Sequence, residues 1–297
     1  SILSLLVLGQ GIVLATGQID LSLESTLAFA PTIAVLAMTK WMPGIGPFVA
    51  IFITLIVGGI IGLFNGFCVT KIGINTFLQG LSLLIILRGF VLFLVPFAIA
   101  NFSYTYSFLG NAKAFANIPV AVFVMLFIFL MFQIFLKKMR FGRYFFATGG
   151  NPKASYVSGI NTDRIIISSF IIAAVLAAVA GLLAVGRQTS VSNRIGDGMV
   201  LLAFAGAIMG GTSINGGKGS AAGMLGGAIF LAAISNSLNL LRVDVFLVYA
   251  TQGMLIFLAL LIDRSKEKLS SYLFKRERLK KYKLSLEQTE GSEIGID

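Results

Sequence analysis

Nine hydrophobic runs follow one another along this 297-residue chain, and their recurrence limits what it can fold into more than any other feature. They cover residues 2–16, 25–39, 47–68, 77–98, 118–136, 165–185, 198–210, 221–238 and 243–262. A helix needs roughly 20 apolar residues to cross a hydrocarbon layer ~30 Å thick. The runs lack the alternation of barrel strands and mostly exceed their length, which leaves helices as the way to satisfy a backbone in lipid. A content of 57% hydrophobic and 12% charged residues lies far from that of a water-soluble domain. The expected fold class is therefore an all-α polytopic membrane protein.

The chain has one cysteine, Cys68, and no histidine, which excludes a disulfide framework, a zinc site and His-dependent catalysis together. No metal or cofactor is expected to be bound by this chain. The net charge of +11 does not point to nucleic acid, because the basic residues sit in loops between apolar runs. On one side these loops carry Lys71, Lys137, Lys138, Arg140, Arg143, Lys153, Arg164, Lys218 and every Lys and Arg from Arg264 onward. The other side has Lys40, Lys113, Arg187, Arg194 and Arg242. The excess of positive charge makes the first side cytoplasmic and puts Ser1 on the outer side. One further helix before Ser1, and ten in all, is the expectation. The membrane domain is read as 1–263, with an inner loop at 139–164. The tail, 264–297, is basic as far as Lys283 and then acidic; its basic part is expected to rest on anionic headgroups and its end to be disordered.

Three runs, 2–16, 25–39 and 198–210, are short: at ~1.5 Å per residue they extend only about 20 to 23 Å. Polar, glycine-rich stretches adjoin them. Thr16-Gly17-Gln18-Ile19-Asp20-Leu21-Ser22 separates the first two, and Gly210-Gly211-Thr212-Ser213-Ile214-Asn215-Gly216-Gly217-Lys218-Gly219-Ser220 follows the third. Such stretches are either ordinary turns or broken helices, and broken helices mark substrate paths in transporters. Gly58, Gly62 and Gly66, like Gly219, Gly223 and Gly227, recur every four residues and give flat faces on which helix backbones can approach closely.

Arg88 lies inside the run 77–98, where a charge costs about 2.5 to 3.5 kcal/mol or more unless it is paired or hydrated. Asp20 and Glu24 are the acidic residues near hydrophobic depth at the N-terminal end, and an Arg88–Asp20 ion pair bracing the broken helix is expected. Asn65, Asn75, Gln79, Asn236 and Asn239 are further amide groups in or beside the apolar runs, able to line a neutral polar path or to bond between helices.

The longest inner loop contains Asn151-Pro152, a good N-cap followed by a residue suited to the first helical position, with Gly159 as a stop. This spacing predicts a helix of about two turns outside the membrane, with Ala154, Tyr156 and Val157 available to a groove on another protein. Three stretches then stand in order: Gly17-Gln18-Ile19-Asp20-Leu21-Ser22, the loop 141–160 with Phe141-Gly142-Arg143, Gly149-Gly150-Asn151 and Ser158-Gly159-Ile160, and Gly210 to Ser220. In them the chain resembles the permease subunits of bacterial ABC sugar importers, the group that includes ribose, xylose, galactose and autoinducer-2 transporters. Gln18 stands where the group has a second glycine, and Leu23-Glu24 where Val-Gly is common.

The resemblance implies two such subunits, identical or paralogous, around a central path in the bacterial inner membrane. It implies a pair of cytoplasmic ATPases holding ATP and Mg, and an external sugar-binding protein. The helix after Asn151 becomes the coupling helix, with Phe141, Gly142, Arg143, Gly149, Gly150, Asn151, Pro152, Ala154, Ser155, Tyr156 and Gly159 facing the ATPase. Gln18, Asp20, Ser22, Asn65, Asn75, Gln79, Arg88, Ser213, Asn215, Asn236 and Asn239 become the substrate path, whose amides and hydroxyls suit a sugar. Arg187 and Arg194, in an outer loop, become the docking site for the binding protein. The run near Lys218 lacks the spacing of a phosphate-binding loop, so ATP hydrolysis is assigned to the partner. Import of nucleosides or branched-chain amino acids is the alternative, against which the Gly149-Gly150-Asn151 form of the loop favours sugars. A channel lacks its rings of charge here, and an enzyme lacks any acid-base set beyond Asp20 and Glu24.

Overall fold

A computed structural model describes residues 1–100, 102–244, 246–248, 250–261 and 264–265. Ser1–Ile256 form one compact unit; of the second unit, Phe257–Asp297, only residues 257–261 and 264–265 are described, and they are helical. The expected lipid contact and disorder of the tail fall on residues outside the described ones.

Among the described residues five helices are long and apolar enough to cross a membrane: Pro47–Ile72, Thr76–Leu94, Val120–Lys138, Thr162–Gln188 and Ala221–Leu240. The shorter apolar helices Ile2–Ala15, Met199–Met209 and Phe246–Leu261 join them. In chain order the elements are α1 (Ile2–Ala15), α2 (Leu23–Leu36), α3 (Pro47–Phe67), α4 (Thr76–Leu94), the two-residue strand β1 (Ile99–Ala100), α5 (Tyr104–Asn111), α6 (Val120–Lys138), α7 (Arg140–Gly150), α8 (Pro152–Val157), α9 (Thr162–Gln188), β2 (Ser190–Val191), α10 (Met199–Met209) and α11 (Ala221–Leu240). Wide π-type turns prolong α2 through Ala37–Trp41 and α3 through Cys68–Ile72.

The core is built around the short helix α1, which is buried from Ser4 to Ala15 on every side. Helices α9, α10 and α11 pack on it. The longer helices turn the opposite way: α3, α4 and α6 present Phe48, Phe52, Phe93, Phe127 and Leu130 outward, as lipid-facing helices do when the solvent on that side is hydrocarbon. The glycine face of α3 meets α9 at close range. A Cβ at Gly62 would stand 2.5 Å from the carbonyl oxygen of Phe170, and one at Gly66 2.8 Å from the Cα of Ile167. Gly223 and Gly227 meet Gly210 and Gly206 of α10 in the same way. Gly219 does not belong to that face, because α11 begins only after the N-cap Ser220, whose side chain accepts from Gly223 N.

Two pieces have no counterpart among the apolar runs. The outer loop after α4 contains α5, whose fully buried Tyr106 shares a hydrogen bond of 2.9 Å with Thr54 of α3, and β1, which pairs antiparallel with β2. The inner loop begins with α7, a helix with one apolar face: Phe145 is enclosed, 6.0 Å from the ring of Phe135 and 5.5 Å from that of Phe141.

Candidate translocation site

The three glycine-rich stretches, distant from one another in the chain, come together at the end of α1 that the charge distribution puts inside. Thr16 ends that helix, its hydroxyl donating to the carbonyl of Val13 at 2.7 Å. The carbonyl of Ala15 accepts from Gly217 N at 3.0 Å, so the stretch after α10 is bonded directly to the end of α1. Gly149, at the end of α7, lies against the same place: a Cβ there would collide with the carbonyl oxygen of Ala15 and stand 2.7 Å from Gly217 N. A Cβ at Gly216 would stand 2.8 Å from both Gly149 O and Gly17 N. At Gly149, Gly216 and Gly217 backbone lies against backbone, and no side chain would fit.

Beyond this junction the chain stays non-helical as far as Ser22, and several of its polar groups find protein partners, although Asp20 Oδ2 is buried without one. Ile19 exchanges two hydrogen bonds with the Thr76 hydroxyl, its N–H donating at 2.9 Å and its carbonyl accepting at 2.6 Å. Gly80 of α4 lets Leu21 approach, with Leu21 N 2.7 Å from where a Cβ would be. Asp20 is fully enclosed, and its Oδ1 accepts from Ser22 N at 2.8 Å, Ser22 Oγ at 2.6 Å and Asn65 Nδ2 at 3.0 Å. Its carboxylate thus starts α2 and ties that start to α3.

The expected Arg88–Asp20 pair is not formed. Arg88 Nη2 lies 2.9 Å from Glu24 Oε1 and 2.8 Å from Asp197 Oδ1, while Nη1 donates to the carbonyls of Asn193 and Ile195 at 3.0 and 3.1 Å. The reason is a shift of four residues: Asp20 is spent on its own turn, and Glu24, in the first turn of α2, reaches α4. The other oxygen of Glu24 accepts from Val200 N at 3.2 Å, so a carboxylate meets the positive end of α10. One guanidinium therefore joins α2, α4 and the loop 193–197, which dips inward to the start of the short helix α10.

On the outer side of this clamp lies a cavity of about 1000 Å³. It is bounded by the start of α1, the ends of α5, α9 and α11 and the start of α10, and its polar lining includes Lys113, Arg187, Asp197, Asn236, Asn239 and Gln252. These ends are the ones the charge distribution puts outside. Of the sequence-derived path residues, Asn236 and Asn239 line the cavity. Asp20, Ser22, Asn65 and Arg88 are enclosed or nearly so between helices. Gln79 is buried, Asn75 caps α4 by accepting from Phe77 N and Leu78 N, and Gln18 and Ser213 are half-buried beside the junction, with Asn215 next to Gly17. Of the two arginines in the outer loop, Arg187 lines the cavity and Arg194 is exposed.

Sequence reasoning does not pick out Asp197. The signal is nevertheless present: an acidic residue between Gly196 and Gly198, at the head of a run too short to cross the membrane.

On the side that the charge distribution puts inside, α8 is short and capped as its sequence requires, with the Asn151 side chain accepting from Ala154 N at 3.0 Å and Gly159 in the left-handed region at φ +85°. Ser155 faces the body, whereas Ala154, Tyr156 and Val157 are exposed. Phe141 and Arg143 are exposed on α7, and Gly142 packs on the backbone of Phe135 and Leu136.

Helices long and apolar enough to cross a membrane, a large polar-lined cavity and a protruding capped helix fit a multi-pass permease of the inner membrane. The chain belongs to the family described as branched-chain amino acid transport system / permease component, which it matches over residues 1–262. It is 32% identical to the ribose import permease protein RbsC of Escherichia coli (strain K12), covering 90% of this chain and 84% of that protein. It is 33% identical to the protein of the same description from Bacillus subtilis (strain 168), over 88% and 81%. To the D-allose transport system permease protein AlsC of E. coli (strain K12) it is 32% identical, over 89% and 80%. No solved structure matches it.

Proposed function

We propose that this chain is the membrane subunit of an ATP-driven importer that carries a monosaccharide inward. Its nine apolar runs cross the membrane, with α1, α2 and α10 as broken helices. A separate cytoplasmic ATPase binds ATP and Mg and hydrolyses the nucleotide, an external binding protein delivers the sugar near Arg187 and Arg194, and a second permease copy, identical or paralogous, completes the path. Three relatives named for ribose or allose support the sugar. The family description names branched-chain amino acids, which is the reading to be tested against it.

The observation that carries the reading is the contact of Gly149, three residues before α8, with the broken end of α1. A push on α8 from the ATPase reaches the inner end of the buried helix through a backbone contact, without an intervening flexible side chain. Substrate passage then follows from a shift between inward-open and outward-open populations.

Tyr156 is 72% and Val157 86% exposed, so replacing both by aspartate leaves the fold untouched while placing charge in an apolar contact. The Tyr156→Asp/Val157→Asp double variant is expected to lose co-purification with the ATPase. Uptake of labelled D-ribose should fall at least about tenfold, as for an interface anchor worth ~2 kcal/mol. Undiminished uptake and co-purification would remove α8 from the account. Uptake of L-leucine in place of D-ribose by the unsubstituted transporter would remove the sugar.

A further inference from the structure

We infer that Asp197 is the carboxylate by which the outer cavity holds its cargo, and that Arg88 and Glu24 are positioning residues that present it. The inference rests on the monosaccharide reading and names a binding site for it. Asp197 is the acidic side chain lining the cavity, and it is half-exposed, at 53%, while the Arg88 and Glu24 side chains behind it are at 15% and 9%. The guanidinium is held by Glu24 Oε1, at 2.9 Å from the same Nη2 that meets Asp197, and by two backbone carbonyls that accept from Nη1 at 3.0 and 3.1 Å. Its contact with Asp197 Oδ1, at 2.8 Å, fixes that oxygen, while the side chain stays half-exposed and lines the cavity.

A carboxylate prepared in this way suits a ligand rich in hydroxyl groups. Hydrogen bonds to an ionised acceptor are roughly twice as strong as neutral ones. A group fixed before binding loses little rotamer freedom when the ligand arrives. Arg88 is shared between Glu24 and Asp197 and leaves one negative charge over, which Arg187 and Lys113 at the same cavity offset, so the site can accept hydroxyl donors without requiring a cationic ligand. Asn236, Asn239 and Gln252 on the facing helices offer both donors and acceptors, as each sugar hydroxyl does. Arg187 and Lys113 supply further donors at the same cavity. The volume of about 1000 Å³ is at the upper end for small-molecule sites and leaves room for a monosaccharide with bridging water.

Cys68, the chain's single cysteine, is buried, so one introduced thiol reports alone. Ala232 lines the cavity with a side chain too small to serve as a ligand group. The Ala232→Cys full chain, in right-side-out membrane vesicles, is treated with a membrane-impermeant maleimide alone or with D-ribose, D-allose, L-arabinose or L-leucine. At least one of the sugars is expected to slow labelling several-fold, and Asp197→Asn to abolish that protection without changing the labelling rate in its absence. Arg88→Lys should weaken protection only partly.

Protection that persists in Asp197→Asn overturns the role of Asp197. Ordinary labelling that no solute slows overturns the cavity as a ligand site and leaves the sugar reading, which is judged by D-ribose uptake, standing. Protection by L-leucine alone overturns both the polyol and the sugar.

Discussion

The inner and outer ends of the broken helices are held by different physics. At the inner end Ala15, Gly17, Gly149, Gly216 and Gly217 meet through backbone atoms, with one N–H···O bond of 3.0 Å and no charge. At the head of α10, which the charge distribution puts on the outer side, Arg88, Glu24 and Asp197 meet through charged side chains across 2.8 to 2.9 Å. A backbone contact has one geometry and passes on displacement; an ion cluster can exchange partners, and a ligand can compete for it. Under the proposed function the inner end receives a mechanical push and the outer end a solute, and the difference suits those two tasks.

The largest effect is expected at the inner end. Gly149→Ala introduces a methyl group that collides with Ala15 O and breaks the Gly217–Ala15 bond, and neither neighbour is a side chain that can rotate away. Overpacking in a close-fitted core costs typically 1 to 3 kcal/mol. With a lost hydrogen bond added, about 2 to 4 kcal/mol is expected, read as a lower thermal midpoint of the detergent-solubilised transporter together with loss of coupled uptake. If Gly149→Ala melts and transports as the parent does, the inner end is not a tight backbone junction and the comparison collapses.

The outer end should behave as a coupled set. Arg88→Met leaves Glu24 facing α4 without its cation at a largely buried position, a change of the kind that costs about 3 to 5 kcal/mol where burial is complete. Because Asp197 is half-exposed and water reaches it, the lower part of that range is expected. Adding Glu24→Gln removes the orphaned charge, so the double variant should be more stable than Arg88→Met alone. Additive losses in the cycle would mean that the cluster is not coupled.

Much of this architecture was legible because membrane helices announce themselves one at a time. The runs at 47–68, 118–136 and 221–238 needed only local composition, and the cap of α8 only the pair Asn151-Pro152. The need of Arg88 for a partner was legible too, since it follows from the cost of charge in lipid. The identity of the partner was not: Asp20 and Glu24 lie only four residues apart, and only the fold shows that Ser22 and Asn65 have already engaged Asp20. Asp197 joins the cluster from a distant part of the chain, a pairing that no periodicity encodes. Helix α7 could have been read from Phe141 and Phe145, four residues apart on one face, but its polar remainder makes it look like a loop. That the three glycine-rich stretches are one place is likewise a property of packing, although each is conspicuous on its own.

The smallest effect sharpens the comparison most directly, because it asks whether charge matters at the inner end at all. Lys71 and Asp163 form an ion pair there, 2.6 Å apart, between the π turn after α3 and the first turn of α9. Both side chains are about half exposed, at 52% and 42%, so water and salt screen the attraction. Exposed pairs of this kind contribute between about 0 and 1 kcal/mol. Asp163 also favours the positive start of α9, which adds a few tenths of a kcal/mol, about 0.3 or more, whether or not Lys71 is present. Lys71→Met should therefore shift the thermal midpoint barely, and less than Asp163→Asn, with coupled uptake intact. A loss as large as that of Arg88→Met would show that the inner end also depends on ionic locking, and the contrast between a backbone joint and a charge clamp would have to be given up.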